Sequence, residues 1–173
     1  RTGKMLATDY EVAKPDILIL GKALSGGVFP VSAVLANDDI MLCIQPGEHG
    51  STFGGNPLAC AVAKAALEVV VNEKLAQNAY DLGIHFRKRM NEFIQQSELI
   101  SLVRGKGLLN AIVINDTEES STAWDLCVKM KDNGLLAKPT HGNIIRFAPP
   151  LTINKQQLDE CIDIIIETIK DFN

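Results

Sequence analysis

Apolar positions along the chain follow two patterns, and the change from one to the other divides it. Residues 17–21 form an unbroken run, Ile-Leu-Ile-Leu-Gly, that stops at Lys22. A run this short and without alternation predicts a buried strand that delivers one amine at its carboxyl end. A second short apolar strand is predicted over 31–36, and Asn37 then predicts the cap of a brief helix over 38–44. The stretch Gln45-Pro-Gly-Glu-His-Gly-Ser-Thr-Phe-Gly-Gly55 is too polar and glycine-rich for core and reads as a loop. Asn56 and Pro57 supply an N-cap and a first helical residue for an alanine-rich helix reaching about residue 71.

From residue 75 the apolar spacing becomes helical: Leu82, Phe86, Met90, Phe93 and Ile94 predict a helix over 75–96. Its polar side, Arg87, Lys88, Arg89 and Glu92, reads as a solvated face. Strands are predicted over 100–104 and 108–114, around the turn Gly105-Lys-Gly107. A helix over 122–133 follows, with Gly134 at its C′ position. Short strands over 135–138 and 143–147 come next. The last helix, 155–172, carries Leu158, Cys161, Ile162, Ile165, Ile166 and Ile169 on one stripe. The hinge at Asn72-Glu-Lys74 predicts two domains, 1–74 and 75–173. The first reads as part of an α/β layer structure and the second as a smaller α+β unit.

Composition narrows the function classes. A net charge of −4 gives no clustered basic footprint for nucleic acid. No run of roughly 18 uncharged apolar residues predicts a transmembrane helix. Cys43, Cys60, Cys127 and Cys161 are far apart and form no C-x-x-C pair, which suits small buried hydrophobes better than a disulfide frame or a zinc site. His49, His85 and His141 are scattered, without metal-ligand spacing. The chain opens Arg1-Thr2-Gly3-Lys4 and enters a buried-looking strand almost at once, which predicts sheet neighbours supplied by preceding residues of a longer protein.

Lys22 is the first candidate for chemistry. A lysine at the carboxyl end of a buried strand lies where open α/β sheets bind ligands. Gly26-Gly27 let the backbone approach something bulky or turn with positive φ. Burial there predicts a lowered pKa, and a neutral amine is what Schiff-base chemistry with an aldehyde requires. A nucleotide phosphate loop is excluded: the glycine it needs is Asp16, and Ala23 stands where Ser or Thr must follow the lysine. Ser51 and Thr52, in their glycine-rich loop, make a candidate phosphate site, since backbone N–H groups and short hydroxyls can surround an anion. Arg146, between apolar neighbours in a short strand, predicts a guanidinium that grips a carboxylate of the protein or of a ligand.

Three stretches belong together: Leu20-Gly-Lys-Ala-Leu-Ser-Gly-Gly27, Gly47-Glu-His-Gly-Ser-Thr-Phe-Gly-Gly-Asn-Pro-Leu58 and Ile145-Arg-Phe-Ala-Pro-Pro-Leu151. They resemble the class III aminotransferases among the fold type I pyridoxal phosphate enzymes, along the whole chain. Arg104-Gly-Lys-Gly-Leu-Leu109 and Gly134-Leu-Leu-Ala-Lys-Pro-Thr-His141 are similar to the branch of that class acting on ornithine. The resemblance implies an α/β fold: the carboxyl part of the family's large domain, followed by its small α+β domain. It implies pyridoxal 5′-phosphate held by Lys22, with Ser51 and Thr52 on its phosphate, and Arg146 answering substrate carboxylates. It implies a homodimer in which the Ser51–Thr52 loop reaches the partner subunit's active site. The implied reaction moves the δ-amino group of L-ornithine to 2-oxoglutarate, in the mitochondrial matrix or the cytosol. Acetylornithine and 4-aminobutyrate are rival substrates, and a non-catalytic interaction domain is the rival from another class. The family's pyridine-nitrogen partner, stacking aromatic and glycine-rich phosphate loop are expected ahead of Arg1, so residues 1–173 alone are expected not to transaminate.

Overall fold

The computed structural model describes residues 1–11 and 14–172. The chain divides into two compact units: Thr8–Lys74, and Arg1–Ala7 together with the chain from Leu75 onward. The boundary between the units lies at Lys74 and Leu75. The first seven residues, expected with the amino-terminal unit, pack instead with the carboxyl-terminal one. Arg1 explains this: its carbonyl accepts the Leu108 N–H at 2.9 Å, and its guanidinium donates to the carbonyls of Pro149 at 2.8 Å and Leu108 at 3.2 Å.

In the Thr8–Lys74 unit, β1 (Ile17–Leu20) pairs antiparallel with β2 (Ala33–Ala36), Leu20 opposite Ala33. Helices α1 (Asp38–Met41) and α2 (Pro57–Asn72) follow. The Asn56 side chain accepts the N–H groups of Leu58 and Ala59, and Pro57 holds the first helical position, as their order in the chain predicts. Asn37 differs from expectation: its side chain makes no capping hydrogen bond, and α1 runs only four residues. The expected buried strand is also corrected. Ile17 is 51% and Ile19 74% exposed; among the described residues β1 pairs only with β2. A two-stranded ribbon holds little structure by itself, so Ala59 and Ala63 of α2 carry most of this unit's apolar burial.

In the other unit, α3 (Leu75–Ile94) precedes β3 (Ile100–Lys106) and β4 (Leu109–Ile114). Then come α4 (Thr122–Asp132), β5 (Lys138–Thr140), β6 (Ile144–Phe147) and α5 (Lys155–Lys170). The strands form one antiparallel sheet, ordered β3-β4-β6-β5. One face packs Val103, Ile112, Ile114, Ile145 and Phe147 against Phe86 and Met90 of α3, Leu126 and Met130 of α4, and Leu158, Ile162 and Ile165 of α5. The helical stripes foreseen on α3 and α5 are the ones that build this core. Gly134, at φ 95, ends α4: its N–H bonds Lys131 and the Leu135 N–H bonds Met130, which is a Schellman closure. That closure uses residues 134 and 135, so β5 starts at Lys138 and not at the expected 135. α5 starts with a reciprocal Asn154–Gln157 capping box.

The supposed solvated face of α3 is a second correction. Arg87 donates to the Gly107 carbonyl at 3.1 Å and to Asn110 Oδ1 at 2.8 Å, tying the helix to the β3–β4 turn. Arg89 bridges Asp159 at 3.0 Å and Asp163 at 2.8 Å on α5. His85 lies 2.5 Å from Asp159, and Lys155 lies 2.7 Å from its other oxygen. Hydrogen bonds from Lys155, then His85 and Arg89, hold the Asp159 carboxyl well below the usual carboxylate range. A lowered folded-state pKa contributes stability above the unfolded value, roughly 4, and that contribution is lost as pH falls below it. Asp159→Asn is therefore expected to flatten the acid limb of stability between about pH 5 and pH 3. Calorimetric melts of parent and variant across that range check it, and equal slopes would show that the network adds nothing.

The cysteines divide two ways. Cys127 is buried in the core, where desolvation pushes its thiol up to about 11. Cys43 and Cys60 are exposed, contrary to expectation, because both lie in the thinly covered Thr8–Lys74 unit.

Candidate active site

β1 delivers Lys22 as its spacing foretells, by a backbone route that periodicity does not reveal. Gly21 is extended, and Lys22 then enters the left-handed region at φ 53. A non-glycine residue held there costs about 1–3 kcal/mol and persists only where its surroundings demand it. Lys22–Ser25 form one 3-10 turn, closed by Gly26 N–H on the Ala23 carbonyl at 2.9 Å. Ser25 is 1% exposed. Its hydroxyl donates to the Phe29 carbonyl and accepts the Phe29 N–H at 3.2 Å, which fixes the loop's return path. Gly26 follows at φ 67, where a Cβ would rest on the Ala66 methyl at 3.5 Å. The turn is thus seated on α2, and the lysine departs from a fixed backbone.

Lys22 borders a cleft of about 920 Å³, together with Ser51, Gly54, Gly55, Phe29 and Cys60. It is the one charged residue on that wall among the described residues. Ser51 Oγ accepts the Gly54 N–H at 3.0 Å, so its own proton remains available to an anion. A Cβ on Gly54 would stand 2.9 Å from the Ser51 Cβ, so this tight turn needs glycine. Gly55 at φ 70 then leads into the capped start of α2. An amine and a hydroxyl-bearing glycine turn on one cleft suit an aldehyde that also carries a phosphate. The donor set therefore fits pyridoxal phosphate.

Two expectations change here. Lys22 is exposed, so the burial expected of it is not present in this unit. Thr52 is exposed and does not line the cleft, so Ser51 alone of the predicted pair faces it. Phe29 and Cys60 are cleft residues that sequence reasoning missed. Phe29 has no motif to mark it and reaches the wall only through its bonds to Ser25.

Arg146 lies in the other unit, on β6. It is exposed on the sheet face opposite buried Ile145 and Phe147, as alternation requires. Its guanidinium has no carboxylate partner among the described residues. The described residues contain no cluster of His, Cys, Asp and Glu able to hold a metal. No helix among them is long and apolar enough to cross a membrane.

Residues 1–169 match the class-III aminotransferase family model: the chain belongs to that family. It is 64% identical over 169 residues to the mitochondrial ornithine aminotransferase of Drosophila melanogaster, covering 98% of this chain and 38% of that protein. Among solved structures it is similar to acetylornithine aminotransferase from Elizabethkingia anophelis. The TM-score is 0.95 at 65% identity, over 99% of this chain and 45% of that one. The Toxoplasma gondii ornithine aminotransferase superposes with TM-score 0.92 at 46% identity, over 99% and 40%, and that structure carries PLP at partial occupancy in its active site. The chain thus spans about two fifths of the length of the curated relatives it matches.

Proposed function

We propose that this chain supplies the lysine-bearing wall of a pyridoxal phosphate aminotransferase that moves the δ-amino group of L-ornithine to 2-oxoglutarate, giving glutamate semialdehyde and glutamate. The observation that carries the reading is the single amine of Lys22, held at φ 53 on the same cleft as the Ser51–Gly54 turn. When bound, pyridoxal phosphate acts as the electron sink of the reaction. Lys22 would hold its aldehyde and then, as a free amine, carry the proton to and from the substrate carbon. Ser51 would donate to the phosphate, and the Gly54 turn would keep that hydroxyl aimed. Thr52, exposed and not on the cleft wall, supports a loop shared with a second copy in a homodimer. Arg146, with no carboxylate partner among the described residues, would take a substrate carboxylate bidentately. Relatives named mitochondrial support a matrix location.

Borohydride reduction of the intact protein with pyridoxal phosphate, followed by peptide mapping, tests the assignment. The expected label lies on the peptide containing Lys22; a label elsewhere, or none, overturns it. N-acetylornithine is the second donor to assay, because the Elizabethkingia structure of that name is 65% identical. A kcat/KM for acetylornithine above that for ornithine would move the substrate assignment and leave the chemistry intact.

A further inference from the structure

The ladder between β4 and β6 ends where a proline interrupts it. Its last pair is Asn110 opposite Phe147, and the same register carried on sets Leu109 against Ala148 and Leu108 against Pro149. Proline has no N–H, so the Leu108–Pro149 rung cannot close by itself. It leaves three backbone groups over: the Leu108 N–H, the Leu108 carbonyl and the Pro149 carbonyl. Arg1 takes all three. Its own carbonyl accepts the Leu108 N–H at 2.9 Å, and one guanidinium nitrogen, Nη1, donates to the Leu108 carbonyl at 3.2 Å and the Pro149 carbonyl at 2.8 Å.

The surroundings of this rung are built to close tolerance. A Cβ on Gly107 would stand 2.3 Å from the Arg1 carbonyl oxygen and 2.4 Å from the Thr2 carbonyl carbon, so the segment lies flush on the β3–β4 turn. Leu108 is fully buried, and a backbone group left open there has no water to bond. Beyond the prolines, Asn78 of α3 donates to the carbonyls of Leu151 at 2.8 Å and Ile153 at 2.9 Å, so the stretch between β6 and α5 is held from both ends. Desolvation, and after it the charge of Arg146, holds the Arg1 guanidinium below its usual range. A cation kept in so unfavourable a place is compensated by the carbonyls it bonds.

We propose that Arg1 is a positioning residue: it supplies the rung that Pro149 cannot, and so fixes β6 at the end that bears Arg146. The kinetic consequence rests on the aminotransferase reading, and the structural one does not. Arg146 precedes Pro149 by three residues, so fraying of the rung loosens the backbone from which its guanidinium projects. Arg1 acts through that strand. An arginine that merely added stability would lower the folded fraction, and with it the apparent kcat, while KM stayed as it was.

Residue-resolved hydrogen exchange of the intact holoprotein, parent against Arg1→Gln, tests the rung, and steady-state kinetics of the same proteins test its use. In the parent the Leu108 amide is expected to exchange as slowly as the core amides of α3. In Arg1→Gln the amides of Leu108 and β6 are expected to exchange about tenfold faster, the scale of one hydrogen bond from a charged group, with those of α3 and α5 within about twofold. KM for 2-oxoglutarate is expected to rise about fivefold with kcat within about twofold, the scale of a change made without touching the ligand. Arg1→Met, which keeps the apolar stem and removes the donors, is the second variant if the glutamine variant does not fold. A fast Leu108 amide in the parent, unchanged β6 exchange in the variants, or an equal rise throughout the unit each overturns the rung. Faster β6 exchange with KM unchanged overturns the positioning role. A parent that shows the expected exchange pattern yet does not transaminate overturns the proposed function and leaves the rung standing.

Discussion

Lys22→Ala in the intact protein is expected to lower transamination at least about 10³-fold and to abolish the borohydride-fixed pyridoxyl label. The magnitude follows from the two jobs the amine would do. General acid–base transfer by a positioned side chain contributes about 10²–10⁴-fold, and a nucleophile for the aldehyde is lost with it. Arginine cannot substitute, because a guanidinium stays charged and offers no free amine, so Lys22→Arg is expected to fail as badly. The fold should scarcely notice. Lys22 is exposed, and alanine and lysine meet the same strain at φ 53, so the stability change is expected within about 0.5 kcal/mol. A Lys22→Ala protein that turned over within tenfold of the parent would end the assignment of the amine.

Gly83→Ala is expected to be the most damaging single-methyl change in the carboxyl-terminal unit. Gly83 is in the middle of α3, where alanine is ordinarily the better helix former. Here the added Cβ would stand 1.9 Å from the Gly107 carbonyl oxygen and 2.3 Å from its carbon, both backbone atoms of the β3–β4 turn. That turn cannot retreat freely: Arg87 and Asn110 both hold the same carbonyl. Yielding therefore means moving α3 off the sheet and loosening Phe86 and Met90 from the core. A cost of about 3 kcal/mol or more is expected, as for overpacking of a rigid contact. For a chain of this size that lowers the melting temperature by roughly 6–12 °C. An unaltered melt would show that helix and turn separate easily.

The two substitutions test different levels of organisation, and they differ in what made them visible. Lys22 is legible in the chain because a buried-type apolar run followed by one amine and a glycine pair is a local pattern. Ser51 is legible for the same reason, as a hydroxyl in a glycine-rich stretch just before an N-cap and an N1 proline. Gly83 looks like a mere weak point of a helix, and its purpose depends on a turn that arrives 24 residues later. Arg87 and Arg89 likewise have the spacing of a solvated face until the sheet and α5 bring acceptors to them.

Sequence alone determined the elements whose causes lie within a few residues: the α2 cap at Asn56, the α4 stop at Gly134, the stripes of α3 and α5, and the placing of Lys22 after a strand. These depend on backbone geometry, capping and helical period, which neighbouring residues settle among themselves. Tertiary structure decided what depends on partners distant in the chain. It set the left-handed conformation of Lys22, put Ser51 but not Thr52 on the cleft wall, and attached Arg1 to the β3–β4 turn. It also aligned Arg104, Arg146 and Lys138 in one row, because register between strands, and not alternation within one, determines which side chains become neighbours.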